Sequence, residues 1–268
     1  MDRRVYRLVD SAIRLLRSNE PPKGYYGAFS GGKDSVLMKS LVERANVKVT
    51  WHYHVTTIDP PELVRFIRQF HPDVIFDRPQ HGNFFRRTEV KGFPTRLVRW
   101  CCAEYKEGVP PRGSVLLLGI RAEESATRRS RWSSVVQVHH RTGAPAILPI
   151  FDWASDELWD YIRDEQIPYC SLYDQGWKRL GCIGCPQGGV IGRLRDFERW
   201  PRYRALWQRT FQRIWDRRHG TTDRKGQSWY GDRHFSGWEE MWHWWLYEGD
   251  MTRFTGAPVA PPPKAIYL

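Results

Sequence analysis

Gly24-Tyr25-Tyr26-Gly27-Ala28-Phe29-Ser30-Gly31-Gly32-Lys33-Asp34-Ser35-Val36-Leu37-Met38-Lys39-Ser40-Leu41 is the stretch that decides how this chain folds. The first six residues read as a strand, the last six as a helix, and 30–35 as a phosphate-cradling turn between them. Two glycines let backbone N–H groups turn inward with no Cβ in the way. The helix that follows offers free N–H groups and the positive end of its dipole to an anion. Lys33 adds a full charge. A Walker A loop needs four residues between its first glycine and Gly-Lys-Ser/Thr, so this shorter turn does not imply γ-phosphate kinase or GTPase chemistry. A nucleotide-phosphate site is therefore predicted at Ser30, Gly31, Gly32, Lys33, Asp34 and Ser35. Asp34 has two readings, a carboxylate that positions a metal and a cap on the following helix.

Outward from that turn, Val5, Leu8, Val9, Ala12, Leu15 and Leu16 recur at helical spacing and stop before Pro21-Pro22. Downstream, the turn's helix runs to about Ala45. It is followed by a β-rich segment from Val47 to Val55, a helix from Pro61 through Phe70, a short strand at Val74-Ile75-Phe76 and an apolar strand at Val115-Leu116-Leu117-Leu118. Alternating strands and helices with buried, β-branched strands predict an α/β fold around a parallel sheet. Ligands of such sheets bind at the carboxyl ends of the strands, where residues 30–35 fall. Ser155, Asp156 and Glu157 suit a helix first turn, and Leu158, Trp159 and Ile162 give that helix an apolar face. Beyond Gly192, residues 193–225 hold ten arginines and one lysine against four acids, while Trp200, Tyr203, Trp207, Phe211 and Ile214 share one helical stripe. The stripe is predicted to be core. The arginines are open to two readings, phosphate binding and a solvated charged face. Pro258, Pro261, Pro262 and Pro263 predict an extended tail.

At 268 residues the chain can bury a full core, and 41% hydrophobic with 27% charged residues is ordinary for a globular protein. The net charge of +12 is not, and it makes polyanions plausible partners. With no apolar run of membrane length and no signal-like N-terminus, a cytoplasmic protein without membrane contact is expected. Five cysteines, an odd count, argue against a disulfide framework. Cys101-Cys102 and Cys182-Ile183-Gly184-Cys185 form two pairs, with Cys170 apart as a core thiol. Zinc sites usually space each ligand pair by two to four residues, whereas a cluster accepts adjacent thiolates more readily. From spacing alone an iron–sulfur cluster, zinc and unligated thiols all stay open.

Taken together, these motifs resemble the phosphoadenylylsulfate/adenylylsulfate reductase family, members of the adenine-nucleotide α-hydrolase group with a PP-loop. The resemblance runs from about Gly24 to Gln187. It covers the phosphate turn, the segment ending Pro61-Glu62-Leu63, Cys101-Cys102 with Lys106, and the run from Gly119-Ile120-Arg121 to Thr127-Arg128. It continues through Leu148-Pro149-Ile150, Trp159, Ile162, Ile167-Pro168-Tyr169 and Gly181-Cys182-Ile183-Gly184-Cys185. It implies a Rossmann-like parallel sheet flanked by helices, with residues 1–191 as nucleotide-binding domain and 192–268 as a helical Arg/Trp-rich extension. It also implies that Cys101, Cys102, Cys182 and Cys185 hold a 4Fe-4S cluster, and that Gly119, Arg121 and Arg128 border the nucleotide or its anionic group. A salt bridge to Glu123 or Glu124 is the other reading of Arg121 and Arg128.

Two departures shape the functional expectation. Reductases of the family carry a catalytic cysteine in a Glu-Cys-Gly motif near the C-terminus, and no cysteine follows Cys185 here. The segment Val55-Thr56-Thr57-Ile58 also stands where many reductases have Asp-Thr-Gly. The turn with its Lys33 is instead shared with ATP pyrophosphatases that adenylate a substrate, including sulfur-inserting enzymes. The expectation is an ATP pyrophosphatase using ATP and Mg²⁺, with Lys33, Asp34 and Arg121 as catalytic groups, acting on nucleic acid. DNA phosphorothioation is preferred over tRNA thiolation, with a sulfur-donor protein such as a cysteine desulfurase as partner. The alternatives are a sulfonucleotide reductase and a nucleotide-dependent non-catalytic subunit of a nucleic-acid modification complex.

Overall fold

The computed structural model describes residues 2–108, 110–136, 138–139, 142–222, 225–226, 235–250 and 252, so the proline tail lies outside the described residues. In chain order the elements are α1 (Arg3–Ser18), β1 (Tyr25–Ala28), α2 (Lys33–Ala45), β2 (Val49–His54), α3 (Pro61–Phe70), β3 (Ile75–Asp77) and α4 (Phe84–Lys91). Then come β4 (Leu116–Leu117), α5 (Ala126–Arg131), β5 (Val135–Val136), β6 (Ala146–Ile147), α6 (Ser155–Asp164), α7 (Gly189–Arg199), α8 (Pro201–Arg218) and α9 (Trp238–Leu246). A π-helical turn spans Cys102–Lys106, and 3-10 turns span Ala122–Glu124 and Pro186–Gly188.

Two compact units share these elements. The first is built from Met1–Val55, Pro60–Arg78 and Tyr105–Leu180, the second from Thr56–Asp59, Pro79–Glu104 and Gly181–Leu268. The expected boundary at 191/192 differs from this division in kind. The second unit is no contiguous extension, and it takes in all four cysteines that the sequence assigned to the first domain.

The first unit holds a sheet of order β3-β2-β1-β4-β6-β5, parallel except for β5, which runs antiparallel to β6. Alternation decides which residues of β1 and β2 point into the core. Tyr25, Trp51 and Tyr53 are buried, while Tyr26, His52 and His54 on the other face are only half-buried. In α1 the residues Val5, Val9, Ala12 and Leu16 of the expected stripe are buried, while its Leu8 and Leu15 are half-buried. Pro61 opens α3 at a position where its missing N–H costs nothing, and Asn46 ends α2 in the left-handed conformation. The strand predicted at 115–118 contracts to two residues, and β5, β6 and α5 were not anticipated, because elements this short carry no readable periodicity.

On the half-buried face the Tyr26 ring stacks on His52 with centroids 4.1 Å apart, and the Tyr26 hydroxyl meets His54 Nε2 at 3.2 Å. Asp77 Oδ2 lies 3.0 Å from His52 Nδ1 and 3.6 Å from His54 Nδ1. Burial pushes the Tyr26 phenol up to about 12, helped by Asp77.

The second unit is an aromatic helical core. The stripe read from the sequence packs inward, with Trp207, Phe211 and Ile214 fully buried and Tyr203 half-buried. Trp207 and Phe211 meet Trp245 at centroid distances of 4.7 and 5.3 Å, and Phe84 and Phe85 of α4 meet Trp207 edge-on. One detail differs. Trp200 is not helical but sits between α7 and α8, because Pro201 can begin a helix and cannot continue one. The arginines divide as well. Arg193 is buried, donating to the carbonyls of Leu246 and Pro186 and pairing with Glu248, and Arg218 is buried against the Val90 carbonyl. Arg199, Arg202, Arg204, Arg213 and Arg217 are exposed.

Candidate functional site

The phosphate turn forms where β1 ends. Gly31 has φ +71°, and a Cβ there would lie 2.7 Å from Ile67 and Leu63 of α3, so conformation and space both require glycine. Gly32 stands at the N-terminus of α2 without a side-chain cap, which leaves the first-turn N–H groups to find other acceptors. Ser30 Oγ accepts from the Gly32 N–H (3.3 Å) and donates to Ser35 Oγ (3.2 Å), and Ser35 Oγ donates to the Gly32 carbonyl (2.9 Å). The two serines thus tie the turn closed from within.

Lys33, Asp34 and Arg121 come together at a cleft of about 570 Å³ that Ser155, Trp159, Tyr173, Trp177, Lys178 and Arg179 also line. Lys33 Nζ is 3.2 Å from Asp34 Oδ2, and Arg121 Nε is 2.6 Å from Asp34 Oδ1. Asp34 is therefore held between two cations and does not cap α2. Arg121 is buried, and each nitrogen of its fork donates. Beyond Asp34 it donates to Glu123 Oε2 (3.1 Å), the Trp153 carbonyl (3.3 Å) and Ser155 Oγ (3.1 Å). The salt bridge to Glu123 read from the sequence is present, and Arg121 also pairs with Asp34. Glu123 Oε2 also accepts from the Ser155 N–H (2.7 Å), tying the start of α6 to the same wall. Gly119 lies alongside, where a Cβ would come 3.4 Å from the Asp34 backbone. Arg128 falls on α5, and its side chain lies outside the described residues.

Sequence reasoning missed Tyr173. Its hydroxyl accepts from the Lys33 N–H at 2.8 Å, and its ring lies 6.0 Å from the Lys33 ammonium. Trp159 meets the ring edge-on at 5.1 Å. Burial, the largest cause, pushes the phenol pKa up, and the Asp34 carboxylate adds to it. A tyrosine after Cys170-Ser171-Leu172 carries no sequence signal of contact with a turn so far upstream.

The four motif thiols lie in the second unit, half-buried and outside any disulfide, while Cys170, in the first, is buried as expected of a core thiol. A hydrogen bond from the Cys101 thiol to Cys102, burial, and the charges of Cys102, Cys182 and Cys185 together push the Cys101 thiol up. Arg99 Nη2 approaches Cys102 Sγ at 3.5 Å, and Cys182 Sγ lies 3.6 Å from Thr56 Oγ1. The turn between Cys182 and Cys185 needs its glycine. Gly184 has φ +74°, and a Cβ would lie 2.6 Å from Phe197 and 2.8 Å from Trp207 Nε1. That indole also donates to the Ile183 carbonyl (3.1 Å). Among the described residues, no three His, Cys, Asp or Glu side chains form a group that could hold a single metal ion. A mononuclear zinc site needs four tightly spaced donors, whereas each iron of a cluster takes one thiolate and wider spacing suffices. Thiolates of this kind ligate either zinc or the irons of a cluster. Lys106 is exposed on the π-helical turn.

Residues 25–188 match the family described as the phosphoadenosine phosphosulfate reductase domain. The chain belongs to this family. Among its relatives are an uncharacterised protein of Methanocaldococcus jannaschii, 28% identical over 68% of this chain and 39% of the relative, and the adenosine 5'-phosphosulfate reductase of Allochromatium vinosum, 29% identical over 48% and 50%. The chain thus spans half or less of the length of these curated relatives. A phosphoadenylyl-sulfate reductase structure from Candida auris aligns with a TM-score of 0.49 and 17% identity, covering 68% of this chain and 96% of that one. The family match takes in the phosphate turn, Arg121, Tyr173 and all four motif cysteines. Among the described residues no helix is long and apolar enough to cross a membrane.

Proposed function

We propose that this family member is an ATP pyrophosphatase that adenylates a nucleic-acid substrate for sulfur insertion, with DNA favoured over tRNA. The observation that carries the reading is the cleft itself, where the Lys33 ammonium and the N-terminus of α2 converge beside Asp34. An anion bound there meets a full charge and aligned backbone donors, the arrangement that stabilises a pyrophosphate leaving group. A substrate oxygen attacks the α-phosphorus, the bond to the bridging oxygen breaks, and pyrophosphate leaves with the electron pair. Lys33 holds the leaving phosphates, and Arg121 acts as a positioning residue through its bond to Asp34. Both Asp34 oxygens already face cations, so Mg²⁺ fits as a companion of the nucleotide phosphates, where it would supply further charge neutralisation. Cys101, Cys102, Cys182 and Cys185 would hold a 4Fe-4S cluster, which would supply a redox-capable iron centre. The exposed arginines of α8 and the charge of +12 support a polyanionic acceptor, and a sulfur-donor protein such as a cysteine desulfurase would complete the system.

The test incubates anaerobically purified protein with ATP, Mg²⁺ and either duplex DNA or tRNA. Pyrophosphate and AMP are measured against sulfite released from adenylylsulfate. Nucleic-acid-dependent pyrophosphate and AMP are expected. Sulfite without ATP turnover would reject the proposal in favour of a sulfonucleotide reductase, and ATP binding without either product would favour a non-catalytic subunit.

A further inference from the structure

We propose that the Tyr173 phenol is a phosphoryl-binding donor of this cleft. The inference rests on the reading of residues 30–35 as a phosphate site and adds a group that no sequence motif marks. A tyrosine hydroxyl has one proton to donate and lone pairs to accept with. Here the acceptor side is committed to the Lys33 N–H at 2.8 Å, and among the described residues no acceptor takes the proton. The oxygen is fixed from several directions. Trp159 meets the ring edge-on at 5.1 Å and Tyr169 at 6.3 Å, and the Lys33 ammonium lies 6.0 Å from its centroid. Gly32 lies beside the phenol, where a Cβ would come 3.4 Å from the hydroxyl and from Ser30 Oγ alike.

The unspent proton therefore stands on the same cleft wall as the Lys33 ammonium and the start of α2. An acceptor that uses all three must be anionic and carry several oxygens, which is the chemistry of a phosphoryl group. Burial keeps the phenol neutral, so it donates without adding charge and without titrating in the working range. A second lysine in its place would pair with Asp34, whereas a phenol leaves the Lys33–Asp34–Arg121 arrangement undisturbed.

Calorimetric titration with inorganic pyrophosphate, ATP and adenosine on the wild type, Tyr173→Phe and Lys33→Ala tests this. Tyr173→Phe is expected to weaken pyrophosphate and ATP by about ten- to a hundredfold, the range of one hydrogen bond to a charged group, and to leave adenosine at wild-type affinity. Pyrophosphate affinity within twofold of wild type, or an equal loss on all three ligands, would overturn the inference, the latter assigning Tyr173 a purely structural part. The control separates the two levels. If Lys33→Ala loses pyrophosphate and Tyr173→Phe does not, the phenol alone is misassigned. If Lys33→Ala binds pyrophosphate as wild type does, the phosphate site falls and the phenol's role with it.

Discussion

Acid should loosen the strand end that carries the phosphate turn, and His71 sets how much. Its ring packs edge-on against Phe29, the residue before Ser30, at 4.7 Å and against Phe66 at 5.2 Å, and its Nε2 is buried without a hydrogen-bond partner. Burial, reinforced by the Lys39 charge, lowers its pKa to about 4, with Asp73 and Glu43 opposing. The imidazole is thus neutral in the fold, while the unfolded chain takes up a proton near pH 6.5. Between those values the unfolded state binds more protons, so the stability from this group is complete above pH 6.5 and lost as pH falls toward 4. Carried through linkage, the loss between pH 7 and pH 4.5 is about 2 kcal/mol. Carboxylates titrate in the same window, so the measurement is a difference. Urea midpoints of wild type and His71→Leu are compared at both pH values, the leucine removing the titrating group while filling the apolar site. A pH dependence shallower by about 2 kcal/mol in His71→Leu is expected. Equal pH dependence in the two proteins, or a His71 NMR titration midpoint at 6 or above, would refute the reasoning.

Further outcomes follow from other contacts. Arg121→Met removes one partner from each of the Asp34 and Glu123 carboxylates and should cost about 2–3 kcal/mol in a urea melt, with Arg121→Lys restoring little because one ammonium cannot reproduce the fork. Gly184→Ala should destabilise the cysteine turn by more than about 1 kcal/mol, read as faster reaction of Cys182 and Cys185 with a thiol reagent. Trp207→Ala, emptying the aromatic core, should cost about 3–5 kcal/mol and lower the melting temperature. Cys182→Ser with Cys185→Ser should abolish bound iron and acid-labile sulfide in anaerobic protein, and zinc in their place in the wild type would refute the cluster.

Where periodicity or local chemistry dominates, the sequence was legible. The helix from Pro61 to Phe70 was read to the residue, because a proline at its first position and an apolar stripe over ten residues leave little choice. The turn at 30–35 and its neighbours were read for the same reason, since Gly31 answers a local backbone requirement. What failed depends on distance along the chain. Nothing near Tyr173 announces Lys33, and nothing near Arg121 says that Asp34 will occupy its fork. The two-unit division was hidden because each unit is assembled from three separate segments. Trp200 was placed on a helical stripe by spacing alone, when the proline beside it should have ended the stripe.

The scattered make-up of the second unit also has a consequence for biosynthesis. Cys101 and Cys102 leave the ribosome long before Cys182 and Cys185, and the turn that presents the later pair leans on Trp207 and, through Arg193 at Pro186 and Leu246, on the end of α9. At ordinary elongation rates, roughly 7 to 30 s separate the first pair from the last support. During that interval the early thiols are exposed to oxidants and stray metals without their counterparts. A cluster held by all four thiols would therefore load after synthesis has passed α9, and expression strategies that slow translation lengthen the vulnerable period.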